Sequence, residues 1–253
     1  MPALPPFRGD YAFFLDLDGT LLDIAETPAA VYTEREELAL IEKLRDAAGG
    51  AVALVSGRTL ASIDEIFAPL RYAAAGQHGF ERRDAQGNVH RDSSFPVDEL
   101  QQAVVPVREF ADAHRGLVFE DKGHSVALHF RLAPQFREEA WAAARQAAAK
   151  LGPIVEVQGG KMVVELKPAG RDKGRAIEDF MREPPFAGRI PVFIGDDITD
   201  EHGFRIVNDL GGHSIKVGVG STAARWRLPH APGVRAWLKQ WIQKAGPQQK
   251  LRA

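Results

Sequence analysis

Short runs of uninterrupted apolar residues, each closed by turn-forming residues, constrain this chain most. YAFFL (11–15), AVALV (51–55), YAAA (72–75) and PVFI (191–194) are too short for core helices and have no polar face. They read as strands buried on both sides. Between the first two lies TEREELALIEKLRDAAGG (33–50), where Leu38, Ile41 and Leu44 share a helical face. Acidic residues crowd its first turn and Gly49 ends it. A strand–helix–strand rhythm with fully apolar strands predicts a parallel sheet covered by helices on both faces.

The middle of the chain has another period. HSVALHF (124–130) and KMVVELK (161–167) alternate apolar and polar residues, as antiparallel strands with one wet face do. Helical stretches are expected near 96–114 and 134–151, the second ending at Gly152. The expected organisation is a core over residues 1–92 and 172–253, interrupted by an inserted α+β module over 93–171. IKVGVGSTA (215–223) reads as the last core strand with its loop, WLKQW (237–241) as a terminal amphipathic helix, and GPQQKLRA (246–253) as a frayed tail.

With 253 residues, 45% hydrophobic and 26% charged, the chain can bury a substantial core. A formal charge of -2 supplies no positive field for a nucleic acid backbone. The absence of cysteine excludes disulfides, thiolate metal sites and a thiol nucleophile. No apolar stretch approaches the roughly 20 residues of a membrane span. MPALPPFRGD lacks the basic start and apolar block of a signal peptide, so a cytoplasmic protein is expected.

The first apolar run ends in DLDGT (16–20). Side chains alternate along an extended chain, so Asp16 and Asp18 face one way and Leu17 the other. Gly19 permits a sharp turn, and Thr20 can hydrogen-bond nearby. Two carboxylates at the carboxyl end of a buried strand repel unless a cation or proton is shared. Mg2+ suits them, since it takes hard oxygen ligands and keeps positions open for water and phosphate. A calcium loop fails, because Phe14 and Ala25 would occupy positions that need acids. A solvated Asp-Gly turn is the plain alternative.

Other polar groups recur at predicted strand ends and helix starts. Ser56, Gly57 and Arg58 follow the second strand, Asp196 and Asp197 follow VFIG, Asp200 and Glu201 begin a helix, and Lys173 opens another. Each has a dull reading as a turn, a helix-start acid or a solvated lysine. Two decoys fall away. G-x-G-x-x-A at 218–223 lacks the downstream acid of a dinucleotide fold, and the histidines lack zinc spacing, which leaves His129 structural.

The ordered set DLDGTLL, VSGR, KG and GDDITDE resembles the haloacid dehalogenase-like phosphotransferases. The resemblance implies a Rossmann-like doubly wound parallel-sheet core with an inserted α+β cap domain. It implies Asp16 as nucleophile, Asp18 as acid and base, and Ser56 and Lys173 as phosphate-gripping groups. Mg2+ would be held by Asp16, the Asp18 carbonyl and Asp196, with Asp197 as a further acidic partner. GQHGFE, EDKGHSVALHFR and KMVVELKPAGRDKGRAI, together with GDDITDE, are similar to the trehalose-6-phosphate phosphatase family, over about residues 11–225.

That likeness implies a phosphatase whose partner is the small molecule trehalose 6-phosphate; separately, a monomer with no nucleic acid or membrane partner is expected. Its sugar contacts would be Arg58, His78, Glu120, Lys122, Arg131, Lys161 and Glu165. From pattern alone, Glu120 with Lys122, and Lys161 with Val163 and Glu165, are equally the wet faces of antiparallel strands. Leu17 departs from the aromatic residue the family often carries there, but it faces away from the acids. Phosphatases of sucrose phosphate or mannosyl-phosphoglycerate, a phosphomutase and a silent sugar-phosphate sensor are the rival readings.

Overall fold

A computed structural model describes residues 4–25, 31–91 and 94–244. The expected module start at residue 93 and the tail at 246–253 lie outside the described residues. The chain divides into two compact units. The first gathers Met1–His90, Asp172–Asp196 and Asp200–Ala253; the second gathers Arg91–Arg171 with Asp197–Thr199.

The first unit is built on a sheet ordered β12-β11-β10-β1-β2-β3-β4-β5. Its members are β1 (Tyr11–Leu15), β2 (Val52–Val55), β3 (Ala73–Gly76), β4 (Glu81–Arg83), β5 (Val89–Arg91), β10 (Ile190–Gly195), β11 (His213–Val217) and β12 (Trp226–Leu228). Pairing from β12 through β3 is parallel, and β4 joins β3 antiparallel. In β1 the pleat sends Tyr11, Phe13 and Leu15 into one core and Ala12 and Phe14 into another, all fully buried. The first core is closed by α1 (Arg35–Ala47), α2 (Leu60–Ile66) and α8 (Ala231–Lys244), the second by α6 (Lys173–Met181) and α7 (Glu201–Asp209). The sheet is therefore doubly wound, because a strand apolar on both faces needs a helical layer on each. Trp237 and Trp241 of α8 sit in the first core, Trp241 packing edge-on against Phe13.

Three expectations change. IKVGVGSTA is not the last strand, because β12 follows it and pairs parallel with β11. The helical stretch near 96–114 is two helices, α3 (Val97–Ala103) and α4 (Val105–Ala113). Pro106 stands at the start of α4 and lacks the N–H that a continuous helix would need. KMVVELK is not one strand: β9 runs Val163–Pro168 and pairs with β8 (Val155–Gly160) through a turn at Lys161 and Met162, where Met162 has φ 63°. Lys161 thus lies in a hairpin turn rather than on a face shared with Glu165.

The second unit is an antiparallel sheet ordered β6-β7-β9-β8, completed by β6 (Val118–Asp121) and β7 (Val126–His129). Val126, Leu128, Val164 and Leu166 share a core with α3, α4 and α5 (Arg137–Leu151). Register places Glu120, Ala127, Glu165 and Gln158 in one row across the four strands. Alternation puts that row on the face away from the helices.

Candidate active site

Strand order reverses between β1 and β10, which are neighbours. Ligands bind open α/β sheets at the carboxyl ends of strands beside such a reversal. Asp16 follows β1 there and Asp196 follows β10, with the Asp16 amide donating to the Ile194 carbonyl at 3.0 Å. Oxygens of Asp16, Asp196 and Asp200 all lie within 4.8 Å of one another, and all three residues are buried.

Local chain geometry makes this convergence possible. After Asp16 the amides of Thr20, Leu21 and Leu22 all donate to the Leu17 carbonyl, coiling the chain into a tight turn. Leu17 is buried in the first core, which anchors that turn from below. Gly19 has φ +84°, and a Cβ there would collide with the Asp196 carboxylate. Both reasons demand glycine. Across the site, the Asp196 amide donates to Asp200 Oδ2 at 2.8 Å, and the Lys216 Nζ donates to the Asp196 carbonyl at 2.7 Å.

Lys173 is the first residue of α6, whose start is capped by Asp172 accepting from the Arg175 amide. Its buried Nζ donates to Asp16 Oδ1 and Asp200 Oδ1, each at 2.7 Å. Thr20 Oγ1 donates to Asp16 Oδ2 at 3.1 Å. Burial raises the Asp16 carboxyl well above the ordinary carboxylate range; the Lys173 ammonium opposes the shift, and the charges of Asp200 and Asp196 add to it. Burial lowers the Lys173 ammonium, but the charges and hydrogen bonds of Asp16 and Asp200 outweigh it, leaving the group above its usual value. Three buried carboxylates against this ammonium form an all-oxygen, electron-rich donor set, which fits a hard divalent cation.

The remaining expected residues fall into separate groups. Asp18 stands outside the acidic cluster, its two oxygens gripped by the Arg58 guanidinium at 2.7 Å each. Ser56 follows β2, and its Oγ accepts from the Arg58 amide at 3.2 Å. His78 has φ 57°, and its ring packs over Gly57, where a Cβ would lie 2.7 Å from His78 Nε2.

In the second unit, Glu120 Oε2 meets His129 Nε2 at 2.8 Å, while Lys122 Nζ and Ser125 Oγ donate to Glu165 Oε1 at 3.2 and 2.9 Å. Burial raises the Glu120 carboxyl, but its bond to His129 and the nearby Lys122 charge leave it below the usual range. Arg131 donates to the Lys161 carbonyl at 3.2 Å. Asp197, grouped with this unit, accepts from the Lys161 amide at 3.1 Å and from the Ile198 amide at 2.8 Å.

Asp200 and Lys216 are the members of the buried site that sequence reading left out of its ligand set. Asp200 had a signal: it is an acid four residues after Asp196, and across the short 3-10 turn Ile198–Asp200 it reaches back to accept from the Asp196 amide. Lys216 had none, being a lone lysine in an apolar run.

A family model described as trehalose-phosphatase matches residues 14–230. The trehalose-6-phosphate phosphatase of Escherichia coli (strain K12) is 43% identical over 235 residues, covering 93% of this chain and 88% of its own. A probable trehalose-phosphate phosphatase of Sinorhizobium fredii (strain NBRC 101917 / NGR234) is 44% identical over 237 residues, covering 93% of this chain and 89% of its own. The crystal structure of a trehalose-6-phosphate phosphatase related protein superposes with a TM-score of 0.76 at 28% identity, covering 94% of this chain and 99% of the other. With its acids and lysine gathered at the strand-order reversal, this chain belongs to the trehalose-phosphatase family.

Proposed function

We propose that the protein is a Mg2+-dependent phosphatase that hydrolyses trehalose 6-phosphate to trehalose and phosphate through an aspartyl-phosphate on Asp16. The observation that carries the reading is the buried Asp16, Asp196, Asp200 and Lys173 group in a member of this family. Asp16, Asp196 and Asp200 would hold the ion through side-chain oxygens, with the Asp18 backbone carbonyl as a further donor. When bound, the ion offsets the charge that accumulates as an anionic nucleophile meets an anionic phosphate ester.

The chemistry then follows from the chain's own groups. An Asp16 oxygen attacks phosphorus while the bond to the sugar oxygen breaks, and Asp18 gives that oxygen a proton. Water attacks the aspartyl-phosphate next; Asp18 takes its proton, the bond between phosphorus and Asp16 breaks, and inorganic phosphate leaves. Lys173 orients Asp16 and, with Ser56, supplies donors for phosphoryl oxygens. Glu120, Lys122, Arg131, Lys161 and Glu165 offer carboxylate, ammonium and guanidinium groups suited to sugar hydroxyls; Arg58 and His78 are assigned to the same role.

Phosphate release from a panel of phosphorylated mono- and disaccharides, with and without Mg2+, tests this reading. The expected preference is for trehalose 6-phosphate, with turnover abolished by chelation and by Asp16→Asn in a protein whose circular dichroism is unchanged. Preference for another sugar phosphate would replace the substrate, and transfer of phosphate to a sugar rather than to water would mark a phosphomutase. Absence of phosphate release from every member would favour a sensor.

A further inference from the structure

Lys216 belongs to no group that the reaction above uses, yet it is 6% exposed, and lysine is almost never so buried without a partner. It lies on β11 opposite Gly195 of β10 in parallel register. Its neighbours Ile215 and Val217 point into the first core, so alternation turns Lys216 to the opposite face. There Nζ donates to the Asp196 backbone carbonyl at 2.7 Å, while the Asp196 amide donates to Asp200 Oδ2 at 2.8 Å. The peptide groups on either side of the Asp196 Cα are thus each held by a charged group. Charge-assisted hydrogen bonds are roughly twice as strong as neutral ones. Gly195 adds a steric restraint, since a Cβ there would collide with the Asp200 carboxyl.

From this geometry we infer that Lys216 is a positioning residue for the cation site: it fixes the Asp196 backbone so that the carboxylate meets those of Asp16 and Asp200. The inference rests on the reading that these three acids hold a divalent ion. In this assignment Lys216 acts through the Asp196 backbone. Its effect is orientation, which in metal sites typically amounts to about 10–100-fold in affinity. A plain structural role would instead lower thermal stability and leave the affinity of the folded protein alone.

The test is direct Mn2+ binding, read as free Mn2+ by electron paramagnetic resonance, on the full chain at a temperature where circular dichroism shows each variant folded. Wild type should bind and Asp196→Asn should not. Lys216→Met, of similar length but without a donor, should weaken binding by about 10–100-fold. Lys216→Gln, which keeps a donor without the charge, should fall between them, and it carries the test if the methionine variant does not fold. Folded Lys216 variants that bind Mn2+ as tightly as wild type would overturn the assignment. A wild type that binds no Mn2+ overturns the metal reading itself and this inference with it, a result recognisably different from equal binding by both.

Discussion

The guanidinium of Arg58 clasps Asp18 through two parallel hydrogen bonds, Nε to Oδ2 and Nη2 to Oδ1, each 2.7 Å long. The paired side chains join the end of β2 to the turn after β1. Only arginine presents this planar fork, so lysine would keep the charge and lose the orientation. Asp18→Asn should reduce turnover of trehalose 6-phosphate by about 10²–10⁴-fold, the usual scale of general acid–base assistance. With p-nitrophenyl phosphate, whose phenolate leaves without needing a proton, the rapid first release of p-nitrophenolate should be retained, although steady turnover falls because Asp18 also takes the proton of the water that attacks the aspartyl-phosphate. Arg58→Lys should show the same asymmetry in milder form. Loss of that first release to the same degree as trehalose 6-phosphate cleavage would remove proton donation from Asp18.

Gly195→Ala should uncouple the acidic cluster without unfolding the sheet. The new methyl group would press on the Asp200 carboxyl, which holds both the Asp196 amide and Lys173. Its expected signature is weakened Mn2+ binding and lost phosphatase activity with far-ultraviolet circular dichroism preserved. Retained activity would show that the turn relaxes around the methyl.

Asp84 predicts a pH-dependent term in stability. It closes the turn between β4 and β5, accepting from the amides of Gln86 and Asn88, from Asn88 Nδ2 and from His90 Nε2. Burial raises this carboxyl, but those hydrogen bonds prevail and hold it below the usual range. A carboxyl depressed in the folded state stabilises above its unfolded value of about 3.9, and the contribution is lost as pH falls from there toward the folded value. Asp84→Ala should therefore cost about 1–3 kcal/mol near pH 7, from amides left unsatisfied. Urea unfolding across pH should show the gap to wild type narrowing below about pH 4. A gap that widens with acid would contradict the assignment.

Glu165 and Glu120 occupy one cross-strand row of the second unit. Glu165→Gln keeps an acceptor for Ser125 and Lys122 but removes the charge paired with the buried Lys122. We expect it, like Glu120→Gln, to impair trehalose 6-phosphate cleavage at least tenfold more than p-nitrophenyl phosphate cleavage, an added loss of about 1.4 kcal/mol. Parallel losses measured by steady-state kinetics would detach the row from sugar recognition.

Much of the fold was legible because burial writes itself into composition. YAFFL, AVALV and PVFI are strands buried on both faces, and such strands have almost no alternative to a parallel sheet between helical layers. ERR in β4 and VHR in β5 were not legible, since strands joining beyond β3 need no apolar run. The turn at Lys161 was hidden for a related reason: Met162 takes a positive φ that its residue type does not advertise.

The sequence by itself determined which side chains could do chemistry and which strand ends they follow, because strand and helix signals are local. It therefore singled out Asp16, Asp18, Ser56, Lys173 and Asp196 as candidates. Only the tertiary structure decided their partners: Lys173 bridges Asp16 and Asp200 across 157 and 27 residues of chain, and Lys216 reaches Asp196 across 20. Those distances close only when β1, β10 and β11 lie side by side. Strand order is set by the packing of all the helices on the sheet, and no single segment encodes it.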